Sequence, residues 1–498
     1  MSDQIKVKPR IAVITLIQEG AVKIGGEHAM LFPYVEQVIK AANSLKEYIE
    51  IIPYVISPRP KKLEKLSRVE ELKERMAETN NGKMILVSNG ASGPYAHPWN
   101  WEKYGFETNK AMIRLAKERQ FDGIVVMAHG FASIPAVLNI QTARENGLYG
   151  STKIINYFIT HSTFAEHKDN RPQRRILERE IHNHAKMIVI SPYMAKHLAL
   201  IKMVKKAEET IPLYNALPEK GWFSTRVPLD VTKEMIAERN DSLGKGPFYG
   251  APFPLEAILE GKKELVIYFG RAQKYVKGTD AVIAVARHDK KRHYMIICSG
   301  SKSELQWHLS MMTGLENVTL AWEHNSKLVL GVVQLAETNP KVRSYALFLS
   351  RREPMGLVSR EVVLMQDRGT VLPIVSNLCG FDDKWQREFS FVVTNPSYGE
   401  EKGSHFQEKN SQMSPQEELF INDQCIKETL EALDSLSKLP VEELQERVSK
   451  YKAAIKQVYN QNRYWSFYLQ IIEKLIPEIV PIVDSIIEKN GLERLPNI

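Results

Sequence analysis

Ser350-Arg-Arg-Glu353-Pro-Met-Gly356-Leu-Val-Ser-Arg-Glu361 follows a short apolar run, residues 345–349. The run is bounded by polar residues and reads as a buried strand, and the segment from about Gly356 reads as a helix. Glu353 and Glu361 are separated by seven residues, one on the loop at the strand end and the other about a turn into the helix. Both carboxylates can therefore face one crevice. The backbone amides of Met355, Gly356, Leu357 and Val358 would form a helix N-terminus, which attracts anions because its first N–H groups lack partners within the helix. A carboxylate at such a place can accept hydrogen bonds from ribose hydroxyls. Taken alone, the segment fits equally well a capping carboxylate followed by a solvated one.

Upstream, Tyr268-Phe-Gly270-Arg271-Ala-Gln-Lys274-Tyr-Val-Lys277-Gly278-Thr-Asp280 repeats the arrangement: an apolar strand, a glycine, a loop with three cations, then an apolar-periodic helix. Arginine offers a planar fork to phosphate oxygens and lysine a compact charge. Two such cations can stabilise a departing diphosphate as a metal would. Read by itself this is more readily a basic surface loop. Near the N-terminus, Gly25-Gly26 lies between the first strand and a helix over 27–42, where backbone can approach a ligand closely. The spacing is neither GxGxxG nor a Walker pattern, which weakens nicotinamide and P-loop readings. His161 ends the apolar strand 156–160 and His129 follows the strand 123–128. Strand ends are where open α/β sheets bind ligands, although a lone histidine there is more often a local hydrogen-bonding group.

These segments belong to two series of apolar, β-branched runs alternating with amphipathic stretches. The first comprises residues 11–17, 49–56, 84–88, 123–128, 156–160 and 187–191. The second comprises 265–269, 294–298, 318–322, 345–349, 370–376 and 391–394. Continuous apolar runs separated by helices indicate parallel strands in βαβ units, hence two doubly wound α/β domains. The expected divisions are an N-terminal domain over 1–220, a Gly/Pro-rich linker or insertion over 221–262, a second domain over 263–400, and a helical region over 401–498 whose last helix packs back on the first domain. The stripe Tyr464, Trp465, Tyr468, Leu469 and Ile472 reads as core packing.

A chain of 498 residues with 43% hydrophobic and 25% charged residues is a folded multidomain protein. Its formal charge of +8 suits acidic ligands without selecting one. Cys298, Cys379 and Cys425 form no metal or disulfide pattern, so a reducing compartment is expected. No signal peptide is expected from the polar residues 1–10, and no stretch reaches a membrane-spanning length.

In this order along the chain, the segments resemble the retaining glycosyltransferases of the GT-B fold, in the group-one class that includes sucrose-phosphate synthase and bacterial mannosyl- and glucosyltransferases. That family's E-P-F-G-L-x-x-x-E is similar to Glu353-Pro-Met-Gly-Leu-Val-Ser-Arg-Glu361, its G-R-x-x-x-x-K-G to Gly270-Arg271 with Lys277-Gly278, and the T-x-H-S strand end of the sucrose-phosphate synthase branch to Ile159-Thr-His161-Ser162. The chain departs from the family pattern at Ala216, at Cys379-Gly380 and at Val362-Val363.

The resemblance implies two Rossmann-like domains facing a central cleft, with a C-terminal helical region. It implies Arg271 and Lys277 on a donor diphosphate, helped by the Gly25 and Gly26 backbone. It also implies Glu361 on the ribose, Glu353 with the Met355, Gly356, Leu357 and Val358 amides on the donor sugar, and His161 on a sugar hydroxyl. A UDP-, GDP- or ADP-sugar would be the donor, with no other cofactor and no metal, and Asp382-Asp383 would not be a metal motif. The partners expected are that donor and an unidentified acceptor, not nucleic acid. The expected location is cytoplasmic. Peripheral contact with a membrane's inner face is left open by the basic stretch 58–78, which the offsetting Glu64, Glu70, Glu71 and Glu74 make more readily a solvated helix. Two other readings stand beside this one: a GT-B-like regulatory subunit without catalysis, and another nucleotide-sugar enzyme such as an epimerase.

Overall fold

The computed structural model describes residues 8–17, 31–58, 74, 76–77, 79, 82–88, 98–161, 163, 172–217, 221–273, 276–397 and 421–498. Gly25, Gly26 and most of the basic stretch 58–78 lie outside the described residues. The chain forms two compact units, Met1–Pro218 together with Tyr459–Ile498, and Glu219–Val458.

Among the described residues, the first unit is built on seven strands: β1 (Arg10–Leu16), β2 (Glu50–Pro58), β3 (Lys83–Val87), β4 (Gly123–His129), β5 (Lys153–Thr160), β6 (Lys186–Val189) and β7 (Ile211–Pro212). They lie in the order β3-β2-β1-β4-β5-β6-β7, and every pairing is parallel. Helices cover such a sheet on both faces, so its central strands carry unbroken apolar sequence; Ile124, Val125, Val126, Met127 and Ala128 of β4 are all fully buried. The C-terminal helix Asn462–Leu475 packs against the helix Leu31–Leu45. Tyr34 and Tyr464 approach to 4.3 Å between ring centroids, and Phe467 meets Tyr157 at 5.4 Å. Tyr464, Trp465, Tyr468, Leu469 and Ile472 are buried, so the aromatic stripe is core, and each such side chain contributes about 1.5–3 kcal/mol of hydrophobic stabilisation. The Tyr464 hydroxyl donates to the Tyr214 carbonyl at 2.9 Å and accepts from the Ala216 amide at 3.0 Å, which fastens the chain end to the close of the first unit's sheet segment.

The second unit contains β8 (Phe248–Gly250), β9 (Glu264–Arg271), β10 (Arg292–Ser299), β11 (Val318–Trp322), β12 (Ser344–Phe348), β13 (Pro373–Ser376) and β14 (Phe391–Val393). Their order is β14-β13-β12-β9-β10-β11-β8, parallel throughout except for β8, which runs antiparallel to β11. Each sheet reverses direction once, between β1 and β4 in the first and between β9 and β12 in the second. Such a switch point opens a crevice at the C-terminal strand ends.

The stretch 221–262, expected as a linker or insertion, falls within the second unit. It supplies β8, the helix Leu229–Asp241 packed on the helix Ser326–Thr338, and the short helix Leu255–Leu259. Its Gly and Pro residues make tight turns between elements too short to show a period, while Phe248, Phe253 and Ile236 are buried in the core. The region 401–498 is divided as well: the helices Asp423–Lys438 and Val441–Val458 belong to the second unit, and only Tyr459 onward belongs to the first. Residues 398–420 lie outside the described part.

Candidate functional site

In the second unit, the loops that leave β9 and β12 emerge side by side at the switch point. Gly278 begins the helix Thr279–His288 at φ 68°, and a Cβ there would lie 1.7 Å from the Leu349 carbonyl oxygen. Only glycine allows this left-handed turn and this approach, so the first loop is pressed onto the end of β12. The Arg351 amide donates to the Val276 carbonyl at 2.9 Å, and the Arg351 guanidinium grips Asp280 with two bonds of 2.8 and 2.6 Å. Both side chains are buried. A desolvated, bidentate ion pair between residues 71 apart thus fixes one loop against the other.

The consequence is the position of Lys277 and Glu353. Their side chains form a half-buried ion pair across the two loops. Arg271 ends β9 with an exposed side chain, its carbonyl accepting from the Tyr268 hydroxyl at 3.3 Å. Arg271, Lys277 and Glu353 therefore crown adjacent strand ends of one sheet.

The helix Leu357–Leu364 starts at Gly356, whose φ of 71° again requires glycine and whose missing side chain makes room for the Phe381 ring. Arg360 on this helix is buried, donating to the Met355 and Gly356 carbonyls at 2.6 and 2.7 Å, to the Gly380 carbonyl at 3.1 Å and to Asp383 at 2.6 Å. The loop before the helix is thereby held by the helix itself, with Met355 and Gly356 buried and Leu357 and Val358 half-buried. Asp382 is engaged by Arg387 at 2.6 Å, so each member of the Asp382-Asp383 pair carries an arginine. Glu361 is half-buried, and the Trp222 indole N–H donates to it at 3.3 Å. Burial pushes its carboxyl up to about 7, against the smaller opposing pull of the indole bond.

In the first unit, His129 ends β4 and His161 follows β5, both buried. Their rings stack with centroids 5.4 Å apart, and His129 Nδ1 lies 3.1 Å from His161 Nε2. The tautomer of one histidine is thus coupled to that of the other. Tyr34 packs edge-on to His129 at 4.6 Å.

Sequence reasoning did not single out Arg351, Asp280, Arg360 or Trp222. Asp280, on the first turn after the cationic loop, precedes an apolar run, and Arg351, two residues before Glu353, stands beside another arginine. Their pairing depends on strand order and has no local sequence signal.

A doubly wound sheet with charged loops at its switch point is an α/β architecture whose C-terminal strand ends can take a ligand. By sequence, the chain matches no family model and no curated protein. By structure it is similar to sucrose-phosphate synthase from Thermosynechococcus elongatus, at 12% identity over 95% of this chain and 100% of that one, with a TM-score of 0.56. It is also similar to a glycosyltransferase from Rickettsia africae, at 12% identity, 94% and 99% coverage and a TM-score of 0.54. A third likeness is to the Escherichia coli trehalose-6-phosphate protein bound with UDP-2-fluoro glucose, at 13% identity, 93% and 98% coverage and a TM-score of 0.51. The fold is that of the GT-B glycosyltransferases. Among the described residues, no helix is long and apolar enough to cross a membrane.

Proposed function

We propose that the protein is a retaining, metal-independent glycosyltransferase that moves a hexose from a nucleotide-diphosphate sugar to an acceptor hydroxyl. The observation that carries this reading is the convergence of the β9 and β12 loops, which sets the Lys277 ammonium against the Glu353 carboxylate beside Arg271 and the helix that bears Glu361. A nucleotide sugar needs such a set: cations for the diphosphate, a carboxylate for the ribose diol, and a second carboxylate with backbone amides for the sugar hydroxyls. Arg271 and Lys277 take the diphosphate in this assignment, Glu361 the ribose, and Glu353 with the Met355–Val358 amides the hexose. In the first unit, His161 serves as a hydrogen-bond partner for a substrate hydroxyl.

As the glycosidic C–O bond to the donor breaks, negative charge grows on the leaving diphosphate, where Lys277 and Arg271 stabilise it more strongly than in the ground state. The leaving phosphate oxygen accepts the acceptor's proton, and the new bond forms on the same face of the sugar. No protein nucleophile is required. The likeness to a protein bound with UDP-2-fluoro glucose supports a nucleotide-sugar donor.

The test is a thermal-shift screen of UDP-, GDP- and ADP-sugars, because a ligand that binds only the native state raises apparent stability with its occupancy. Donors that shift the transition are then assayed for transfer and hydrolysis, with the anomeric configuration of the product read by NMR. A stabilising donor and an anomer-retained product support the proposal. No shift and no turnover with any donor would favour a regulatory role, and an epimerised nucleotide sugar would make the protein an epimerase.

A further inference from the structure

Trp222 is 37% exposed, an unusual state for the largest apolar side chain, and it is nonetheless held in one place. It occupies a single turn, Trp222–Ser224, closed by the Ser224 amide on the Gly221 carbonyl at 2.9 Å and by the Gly221 amide on the Ser224 hydroxyl at 3.2 Å. The next residue, Phe223, is buried and anchors the turn from below. Just beyond, Gln334 bonds the Val227 amide at 3.0 Å and the Thr225 carbonyl at 2.9 Å, and Arg226 bonds the Met365 carbonyl at 2.7 Å. The turn is therefore fastened to the helix Ser326–Thr338 and to the end of the helix that carries Glu361.

Two neighbours orient the indole. Its N–H donates to Glu361 at 3.3 Å, and one edge rests on Phe269, with centroids 6.2 Å apart and planes at 83°. Phe269 stands two residues before Arg271 on β9. Trp222 thus lies between the end of the strand that presents Arg271 and the carboxylate assigned to the ribose. The indole N–H occupies one acceptor position of Glu361 and leaves the carboxylate's other lone pairs for the two ribose hydroxyls.

A nucleoside diphosphate whose phosphates lie on Arg271 and Lys277 and whose diol lies on Glu361 projects its base from the ribose carbon adjacent to that diol. We propose that Trp222 is the platform on which the donor's nucleobase stacks, an inference that rests on the donor-site reading above. An exposed indole fixed at its polar edge suits this role: its face is already oriented, so little freedom is lost on binding. Stacking tolerates any base, so Trp222 supplies affinity for nucleotides as a class, and the loops around it supply the choice among bases.

The test uses the full-length protein and its Trp222→Ala and Trp222→Phe variants, with UDP, GDP, ADP and inorganic pyrophosphate as probes, at a pH above the ionisation of Glu361. Binding is followed by calorimetry and by tryptophan emission. The nucleoside diphosphate that binds should quench the wild-type emission, whereas pyrophosphate should bind without quenching. Trp222→Ala should weaken that nucleoside diphosphate roughly tenfold or more, as loss of one stacked base does. Its affinity for pyrophosphate should be kept, which shows that the unit is folded and the cations are in place. Trp222→Phe should recover most of the affinity while abolishing the quench. Equal nucleotide affinity in wild type and Trp222→Ala, or a quench that persists in Trp222→Phe, would overturn the platform and leave the donor-site reading standing. If the wild type binds neither a nucleoside diphosphate nor pyrophosphate, the donor site itself falls.

Discussion

At the residue scale, the assigned chemistry rests on four charged side chains and the different conditions each is held in. Lys277 is expected to matter most to the chemical step, because its charge faces growing charge on the leaving group. Lys277→Ala should lower kcat/KM for transfer by about 3–4 kcal/mol of transition-state stabilisation, with most of the loss in kcat. Steady-state kinetics with the donor identified by thermal shift measures this, and near-normal turnover would remove Lys277 from the site. Glu361 carries a pH prediction. Its folded-state pKa of about 7 lies above the ordinary carboxylate value of 4.5, with burial as the main cause. The native protein therefore holds this proton more tightly than the unfolded chain, and the group's contribution to stability falls as pH rises from 4.5 to about 7. Ribose binding works the other way, since it needs the ionised form. Nucleoside diphosphate affinity should rise as pH climbs through about 7 and then level off, and Glu361→Gln should flatten that profile. Calorimetric titration across this range decides it; a rise that survives in Glu361→Gln must come from another group.

At the element scale, the two strand-end loops form one object because Arg351 and Asp280 join them. Removing one partner of a buried pair leaves the other charged and desolvated, so Arg351→Met should destabilise the second unit by about 3–5 kcal/mol. The double variant Arg351→Met with Asp280→Leu should recover much of that loss in stability, because no buried charge then remains. Urea unfolding measures both, and equal stability of single and double variants would show that the pair does not act as a unit. Twelve strands were legible in the sequence because each carries a run of apolar residues, unbroken in a central strand such as β4 that is covered on both faces. β7 and β8 were not, because runs of two and three residues carry no period. The loops were readable as glycine-bounded and charged. The left-handed turn at Gly278 and the clamp above it were not, because both arise from strand order, which brings β9 beside β12 across an intervening stretch of chain.

At the scale of the whole molecule, the sequence pattern indicated two α/β bodies, and the division between them proved different in detail. Dense glycine and proline suggested a connector at 221–262, yet those residues pack β8 and a helix onto the second sheet. The C-terminal segment from Tyr459 completes the first unit through Tyr464, Phe467 and the Asn497 side-chain amide, which donates to the Glu208 carbonyl at 2.6 Å. Deleting residues 459–498 should therefore abolish cooperative melting of the first unit while leaving that of the second. Hydrogen exchange resolved by peptide would show the difference, and protected β1 and β4 amides in the truncated protein would contradict it. The same connectivity makes the second unit an insertion within the first. During synthesis, residues 219–458 can complete their own fold as soon as they emerge, but the first 218 residues must wait for the last 40. At roughly 5–20 residues per second that interval is on the order of tens of seconds. Throughout it, the surface destined for the helix Asn462–Leu475 stands open to chaperones, so the part of the chain made first is the part whose folding finishes last.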